Sequence, residues 1–232
     1  MTAPFVLIHG AGSDSWYWHL VAAELRHRGR EVVSPDLPCD DDDADLTGYA
    51  DAVVDAIGDR APVVLVAQSL GGFTAPLVAA RVETELIVML NAMIPTPGES
   101  AGEWWANTGW DGTIPETEDA MREVFLHDLP PELVAESAKH AREQSGTPFE
   151  KPWPLDAWPD VPVRVLAARD DRFFPLDFQR RVARERLGLE IEEIDGGHLV
   201  ALSRPNDVVD RLEGYVDGLS NARPRHDSSA TS

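Results

Sequence analysis

The sequence predicts an α/β fold in which a doubly wound, mostly parallel sheet carries helices on both faces. Short runs rich in Val and Ile alternate with longer segments whose apolar residues recur at a helical period. This alternation is typical of parallel strands joined by crossover helices. The chain has 232 residues, a length that suits one large domain of this class or two small ones. Ligands of such sheets bind beyond the carboxyl ends of the strands, so candidate functional residues are sought there.

Six apolar runs account for the strands and five patterned segments for the main helices. The strands are predicted at Phe5–Ile8, Glu31–Ser34, Val63–Ala67, Leu86–Leu90, Val161–Ala167 and Glu190–Ile194. The helices are predicted at Trp16–His27, Leu46–Ile57, Phe73–Arg81 and Leu176–Leu187, with a last one from about Pro205. Thr47 is the candidate N-cap of the second helix and Ser203 that of the last, because a side-chain oxygen at that position accepts a hydrogen bond from the first turn.

Residues 95–160 interrupt the alternation between the fourth and fifth predicted strands. The segment is rich in proline and contains two helical patterns, around Glu116–His127 and Pro131–Gln144. An insertion at this place predicts a helical cap over the strand ends, above a core formed by residues 1–94 and 161–219.

Five of the seven tryptophans lie in this insertion. Tryptophans most often serve packing, but their clustering above a candidate site favours an apolar pocket. Trp104, Trp105 and Trp110 are therefore candidate substrate contacts, together with Gln68 on the third predicted strand.

Composition and charge narrow the classes of partner. The net charge of −21 disfavours nucleic acid and anionic membranes as partners, so a small-molecule substrate is expected, and a homodimer is left open. The single cysteine, Cys39, excludes an intrachain disulfide and fits a reducing compartment. The N-terminus lacks a secretory signal and no apolar run has the length of a membrane span, which makes a cytoplasmic location the expectation. Residues 220–232 cannot build a core and are predicted to be a flexible tail.

The strongest functional signal is the stretch Ala67-Gln68-Ser69-Leu70-Gly71-Gly72, which directly follows a β-branched run. A strand that stops at a serine and passes through small residues into a helix predicts a tight corner. Such a corner lifts the serine hydroxyl out at the carboxyl edge of the sheet, as a nucleophile requires. The alternative is a polar turn after a buried strand.

A serine nucleophile needs a base, and the base needs a group that orients it. Of the seven histidines, His198 lies in a glycine-rich loop between the last predicted strand and the last helix, from which it can reach Ser69. The fifth predicted strand leads into two candidate carboxylates, Asp170 and Asp171, whereas the fourth ends in Asn91, which offers no acid. His9, after the first strand, is expected to order its loop.

These motifs together resemble the α/β-hydrolase family over nearly the whole chain except the tail. The family's first two strands are expected to be missing. The segments 9–18 and 34–38 resemble most the branch of small esterases, methylesterases and hydroxynitrile lyases, which need no cofactor. The resemblance implies a Ser…Asp…His order and assigns the nucleophile, acid, base and two oxyanion amides to Ser69, Asp171, His198, Ala11 and Leu70. Asp171 is preferred over Asp170 because it stands four residues before Pro175, as in the family's acid loop.

The function expected from this set is hydrolysis of a small, largely apolar carboxylic ester or lactone through an acyl-enzyme. One alternative keeps the triad but performs cyanohydrin cleavage, C–C bond cleavage or a biosynthetic cyclisation. Another is a catalytically silent ligand-binding protein. No metal site is expected, because the consecutive aspartates at 40–43 form a solvated charge cluster.

Overall fold

The computed structural model describes residues 3–222, which form a six-stranded, all-parallel sheet flanked by helices. The strands are β1 (Phe5–Ile8), β2 (Val32–Val33), β3 (Val63–Ser69), β4 (Thr84–Ala92), β5 (Val163–Ala168) and β6 (Glu192–Ile194). Their order across the sheet is β2-β1-β3-β4-β5-β6, and each neighbouring pair is parallel. The predicted α/β class is confirmed.

The helices connect successive strands and then close the chain. They are α1 (His19–His27), α2 (Leu46–Ile57), α3 (Gly71–Ala79), α4 (Ala101–Asn107), α5 (Glu118–Phe125), α6 (Pro131–Ser137), α7 (Leu176–Leu187), α8 (Val200–Ser203) and α9 (Pro205–Ala222). Two 3₁₀ turns, Ser15–Trp18 and Thr147–Phe149, complete the elements. Among the helices of residues 3–222, none combines the length and apolar character needed to cross a bilayer.

The central strand β3 packs on both faces because its residues from 63 to 67 are all apolar. Leu65 and Ala67 belong to a core that includes α2, α3 and α7. Val64 and Val66 face the opposite core, which includes α1, α8 and α9. Alternate residues of one strand thus bury themselves in two different layers. This double burial leaves the carboxyl end of β3 as the place where polar side chains can emerge.

Several predicted helix ends differ from those observed. Asp45, not Thr47, caps α2, since its Oδ1 accepts from the amides of Thr47 and Gly48 at 2.9 and 3.2 Å. Ser203 ends α8 and so does not cap α9. The first turn of the segment predicted at 16–27 is 3₁₀, and Asp14 caps it by accepting from the Trp16 amide.

The predicted tail at 220–232 overlaps the end of α9, which continues to Ala222. The remainder of that tail lies outside the described residues.

The segment between β4 and β5 carries the short helices α4, α5 and α6. The helix predicted at 131–144 ends at Ser137, and the following residues bond to loops of the sheet edge instead. Trp104 and Trp153 are each 1% exposed and join the core on the side of α2, α3 and α7. The base of the insertion is therefore packed firmly on the sheet domain.

Candidate active site

Ser69 lies at a strained corner between β3 and α3. Its φ angle is +51°, a left-handed conformation that a residue with a side chain rarely adopts. The corner is tight: a Cβ atom on Gly72 would lie 2.0 Å from the carbonyl oxygen of Met93, and one on Gly71 2.9 Å from that of His9. Ala67, which stands two residues before the serine, is fully buried within β3. The small residues are thus required at 71 and 72, where backbones meet.

The loop after β1 approaches the same serine. A Cβ atom on Gly10 would lie 2.7 Å from Ser69 Cβ and 2.5 Å from Gln68 Oε1. Only glycine therefore allows the main chain of residues 10 and 11 to pass this close. The contact brings the Ala11 amide into the neighbourhood of the Ser69 side chain.

His9 holds this loop in place. Its Nδ1 lies 2.8 Å from the carbonyl oxygen of Gly10, and its Nε2 lies 3.0 Å from the amide nitrogen of Leu37. Since an amide can only donate, Nε2 accepts and Nδ1–H donates, which is the neutral imidazole. Burial lowers the pKa of His9 below its ordinary value of 6.5, consistent with that neutral form. The bond to Gly10 fixes the peptide plane whose N–H belongs to Ala11.

The amide of Leu70 is the second group at the corner that can bind an anion. Leu70 has helical φ and ψ and directly precedes α3. The first amides of a helix have no acceptor within the helix, and the helix dipole gives them a partial positive charge. Leu70 thus places a helix-start amide directly after Ser69, at the corner that the loop of Gly10 and Ala11 approaches.

Asp171 and His198 form a buried hydrogen-bonded pair. Asp171 Oδ2 lies 2.8 Å from His198 Nδ1, and the two residues are 4% and 2% exposed. The other oxygen, Oδ1, accepts from the amides of Phe173 and Phe174, each at 2.8 Å. These amides stabilise the charged carboxylate and fix its plane. Asp170, the other candidate acid, lies exposed at the surface.

The carbonyl oxygen of His198 is hydrogen-bonded to β3, the strand of the serine, and to its neighbour β4. Asn91 Nδ2, at the end of β4, donates to the carbonyl oxygen of His198 at 3.1 Å, and Gln68 Nε2 approaches the same oxygen at 3.4 Å. Within the described residues, Ser69 Oγ has no hydrogen-bond partner. Catalytic hydrogen bonds are often long in the absence of substrate. The arrangement is that of a hydroxyl, an imidazole with a carboxylate behind it, and two amides.

Three side chains that sequence reasoning does not select contribute to this arrangement. Asn91 bonds the His198 loop, Gln179 Nε2 lies 3.3 Å from Asp171 Oδ2, and Asp128 Oδ2 accepts from the Gly197 amide at 2.7 Å. Asn91 offers one signal, its place at a strand end. Gln179 and Asp128 offer none, because neither follows a strand: Gln179 lies within α7 and Asp128 in the loop after α5.

Aromatic rings surround the imidazole. The ring centroids of Phe125, Phe173 and Phe174 lie 5.3, 5.2 and 5.1 Å from that of His198. Phe125 comes from α5, so the insertion contributes directly to this wall. The rings exclude water from the Asp171–His198 pair, which strengthens their electrostatic interaction.

The predicted substrate contacts differ in their exposure. Trp104 is buried and its Nε1 donates to the carbonyl oxygen of Ile94 at 3.0 Å. Trp105 and Trp110 are half-buried and in ring contact with each other at 4.7 Å. Trp110 Nε1 donates to the carbonyl oxygen of Phe173 at 2.9 Å, which joins it to the wall beside His198. Gln68 is 3% exposed.

The aspartate run at 40–43 is exposed to solvent. Asp40 pairs with Arg142 at 2.6 Å, and the guanidinium lowers the pKa of that carboxyl. Cys39 is buried, and burial raises the pKa of its thiol. A thiol held protonated is a poor nucleophile.

Comparison with known proteins gives matches along almost the whole chain. The sequence model of the alpha/beta hydrolase family matches residues 5–211. A pyrethroid hydrolase of Sphingobium wenxiniae is 25% identical, with 94% of this chain and 89% of that protein covered. Methylesterase 9 of Arabidopsis thaliana is 23% identical, with 92% and 98% covered. Among solved structures, polyneuridine aldehyde esterase superimposes with a TM-score of 0.78 at 20% identity, covering 93% of this chain and 99% of that one.

Proposed function

The chain belongs to the alpha/beta hydrolase family, and on that premise we propose that it is a serine hydrolase of small, largely apolar carboxylic esters or lactones. The observation that carries the proposal is the link between the strained Ser69 and the buried Asp171–His198 pair: Gln68, the residue before the serine, lies 3.4 Å through its Nε2 from the carbonyl oxygen of His198. The similar proteins named as an esterase, a methylesterase and a pyrethroid hydrolase support ester cleavage.

In the first half of the proposed reaction, Ser69 Oγ attacks the carbonyl carbon of the ester. His198 Nε2 takes the hydroxyl proton and then passes it to the leaving alcohol. Asp171 holds Nδ1–H and so fixes the tautomer that leaves Nε2 free to accept. The Asp171 carboxylate also stabilises the imidazolium that forms, since two backbone amides hold it in place beside the ring.

The tetrahedral intermediate carries a negative oxygen that the amides of Ala11 and Leu70 stabilise. Backbone amides aimed in advance at a developing charge contribute strongly to the stabilisation of the transition state in acyl transfer. In the second half, water repeats the sequence on the acyl-enzyme, with His198 again as the base. The products are a carboxylic acid and an alcohol, or a hydroxy acid from a lactone.

The wall around His198 supports an apolar substrate. Phe125, Phe173 and the half-buried Trp105 and Trp110 offer aromatic surface beside the proposed base. The residues 95–160 that carry three of these rings act as a cap in this proposal.

The alternative, cyanohydrin cleavage, usually requires a charged residue of the cap near the triad, and the lysines do not supply one. The chain has two lysines, and both lie exposed at the surface. Lys139 pairs with Glu136 at 2.6 Å and Lys151 with Asp45 at 2.8 Å. Hydrolysis is therefore preferred over cyanohydrin cleavage.

The test is hydrolysis of a panel of p-nitrophenyl esters and lactones by the purified chain and by Ser69→Ala. We expect Ser69→Ala to lose about 10⁴-fold or more in kcat. Ser34→Ala is the matched control, since its buried hydroxyl has no hydrogen-bond partner among the described residues, and it should keep its rate. A fluorophosphonate should label the parent chain at Ser69. An unchanged rate in Ser69→Ala would show that the nucleophile is wrong.

A further inference from the structure

The segment of the insertion that follows α6 lies on the loop after β1. The Arg142 amide donates to the carbonyl oxygen of Gly12 at 3.0 Å. The Gly12 amide donates to Gln144 Oε1 at 3.1 Å. Both backbone polar groups of Gly12 are thus bonded to residues more than a hundred positions later in the chain.

Gln144 is itself held in one orientation. Its Nε2 donates to the hydroxyl of Tyr49 at 3.0 Å and to the carbonyl oxygen of Ser145 at 2.9 Å. Tyr49, on α2, is 1% exposed within the core. The reversed amide would place an NH₂ group against the Gly12 amide, so only one orientation satisfies all three bonds. The side chain is a rigid acceptor anchored in the core.

Ala11 sits between two peptide planes that are each held by a side chain, one from within the loop and one from the insertion. The plane before it, Gly10–Ala11, is fixed by His9 Nδ1 on the Gly10 carbonyl oxygen. The plane after it, Ala11–Gly12, is fixed by Gln144 Oε1 on the Gly12 amide. The Ala11 side chain is exposed, so these two bonds, not packing, set its φ and ψ.

We propose that Gln144 is a positioning residue that holds the Ala11 amide in the geometry needed to stabilise the oxyanion. The inference rests on the proposed function, because it presumes that an oxyanion forms beside Ser69. In this role the insertion supplies part of the rigidity of the oxyanion hole as well as an aromatic wall. Gln144 acts through Gly12 and does not contact the reacting atoms.

The experiment compares substrate turnover with the binding of an aryl trifluoromethyl ketone, which forms a charged adduct with the serine, in three variants of the full chain. Gln144→Leu has similar volume and no acceptor for the Gly12 amide. Gln144→Asn keeps the amide group but is one methylene too short to reach. Thr147→Val is the matched control. It lies in the same segment as Gln144 and removes the 2.7 Å bond that Thr147 Oγ1 donates to the Asp42 carbonyl oxygen, with the 3.3 Å bond that it accepts from Ser145 Oγ. Within the described part of the chain, Thr147 has no hydrogen bond to the loop after β1 or to the Ser69 corner.

We expect Gln144→Leu to lower kcat about ten- to hundredfold, with KM changed by less than about twofold. The affinity for the ketone should fall by the same factor as kcat/KM, since the adduct needs the oxyanion amides. Gln144→Asn should behave alike, and it carries the test if Gln144→Leu does not fold. Thr147→Val should match the parent chain in both measurements.

Two results would overturn the assignment while leaving the proposed function intact. In one, both Gln144 variants keep the parent kcat and ketone affinity while Ser69→Ala is inactive. In the other, Thr147→Val loses as much as the Gln144 variants, which would show that general loosening of the insertion is responsible. Full activity in Ser69→Ala would overturn both proposals together.

Discussion

Asn91 Nδ2 donates to the carbonyl oxygen of His198 at 3.1 Å, which attaches the proposed base to the strand beside that of Ser69. The same amide group donates to the carbonyl oxygen of Gly197 at 3.2 Å, and Asn91 Oδ1 accepts from the Ala168 amide at 2.7 Å. Asn91 is fully buried and has a φ of +44°, a conformation that asparagine tolerates better than most residues. One side chain thus connects β4, β5 and the His198 loop.

We predict that Asn91→Gly lowers both stability and activity. Glycine accepts the positive φ, so the variant removes the three hydrogen bonds without adding backbone strain. The loss of three buried partners should reduce the free energy of unfolding by about 2–4 kcal/mol, measured by urea titration. The value of kcat/KM should fall about tenfold or more, because His198 is no longer held at its main chain.

Asn91→Asp tests whether the two bonds that Asn91 donates, and not the one that it accepts, hold the His198 loop. The carboxylate keeps an acceptor for the Ala168 amide but places negative charge against two carbonyl oxygens. We expect it to be at least as damaging to kcat/KM as Asn91→Gly. Parent-like activity in both variants would show that the His198 loop is held by other contacts.

We predict that Gly72→Ala destabilises the corner at Ser69. A Cβ atom there would lie 2.0 Å from the carbonyl oxygen of Met93, so Gly72→Ala must displace β4 or α3. The expected cost is about 1–3 kcal/mol in the free energy of unfolding, with a loss of kcat/KM as Ser69 shifts. Gly218→Ala, in α9 with nothing within 4 Å of the added atom, should instead stabilise by about 0.5–1 kcal/mol. Equal stability of the two variants would contradict this interpretation of the corner.

The strands and the Ser69 corner can be predicted because their signals are local. The run from Val63 to Val66 is apolar on both faces and mostly β-branched, and Gly71 and Gly72 follow the serine after one residue. Sequence spacing alone therefore places the hydroxyl at the sheet edge. The true N-cap of α2 has a local signal as well, since Asp45 directly precedes the helix.

The roles of Asn91 and Gln144 cannot be predicted, because their partners are distant in sequence. From the sequence, Asn91 shows only that β4 does not end in an acidic residue. Its structural role comes from hydrogen bonds to residues 168, 197 and 198. The apolar pattern places Gln144 at the end of a helix. That helix stops at Ser137, and the bonds that Gln144 makes are to Gly12 and Tyr49. Such tertiary partners compete successfully with local helical propensity.

A buried ion pair gives a third prediction, at the base of the insertion. Arg186 on α7 and Glu99 before α4 are 2.5 Å and 2.8 Å apart through two N–O contacts, with side chains 9% and 3% exposed. Arg186→Met should cost about 3–5 kcal/mol in the free energy of unfolding, because it leaves the Glu99 carboxylate buried without its cation.

The double variant Arg186→Met, Glu99→Gln tests the reason for that cost. It removes the uncompensated charge, so it should be more stable than Arg186→Met alone in the same urea titration. If the double variant is less stable than the single one, the loss comes from packing and the burial of charge is not its cause.

We predict that the burial of His9 makes the stability of the chain depend on pH. The pKa of His9 is lowered from 6.5 chiefly by burial, so the folded chain binds a proton at this site less readily than the unfolded chain does. Stability is therefore lost as pH falls below about 6.5, by up to about 1.4 kcal/mol per pH unit, and is unaffected at higher pH. A proton on Nε2 would also oppose the Leu37 amide, which now donates to that nitrogen at 3.0 Å.

The measurement is urea unfolding at pH 8.5, 7.5, 6.5 and 5.5, comparing the parent chain with His9→Asn, which cannot titrate. The difference between their free energies of unfolding should be constant above pH 7 and shift against the parent chain below pH 6.5. The range stops at 5.5 because carboxyl groups with lowered pKa values, such as Asp36 beside Ser15, reduce stability only nearer their own titration. His27→Asn, which removes an exposed imidazole from α1, is the matched control. A difference that stays constant down to pH 5.5 would mean that His9 is protonated as easily in the folded chain as in the unfolded one, and that the Leu37 contact does not hold it neutral.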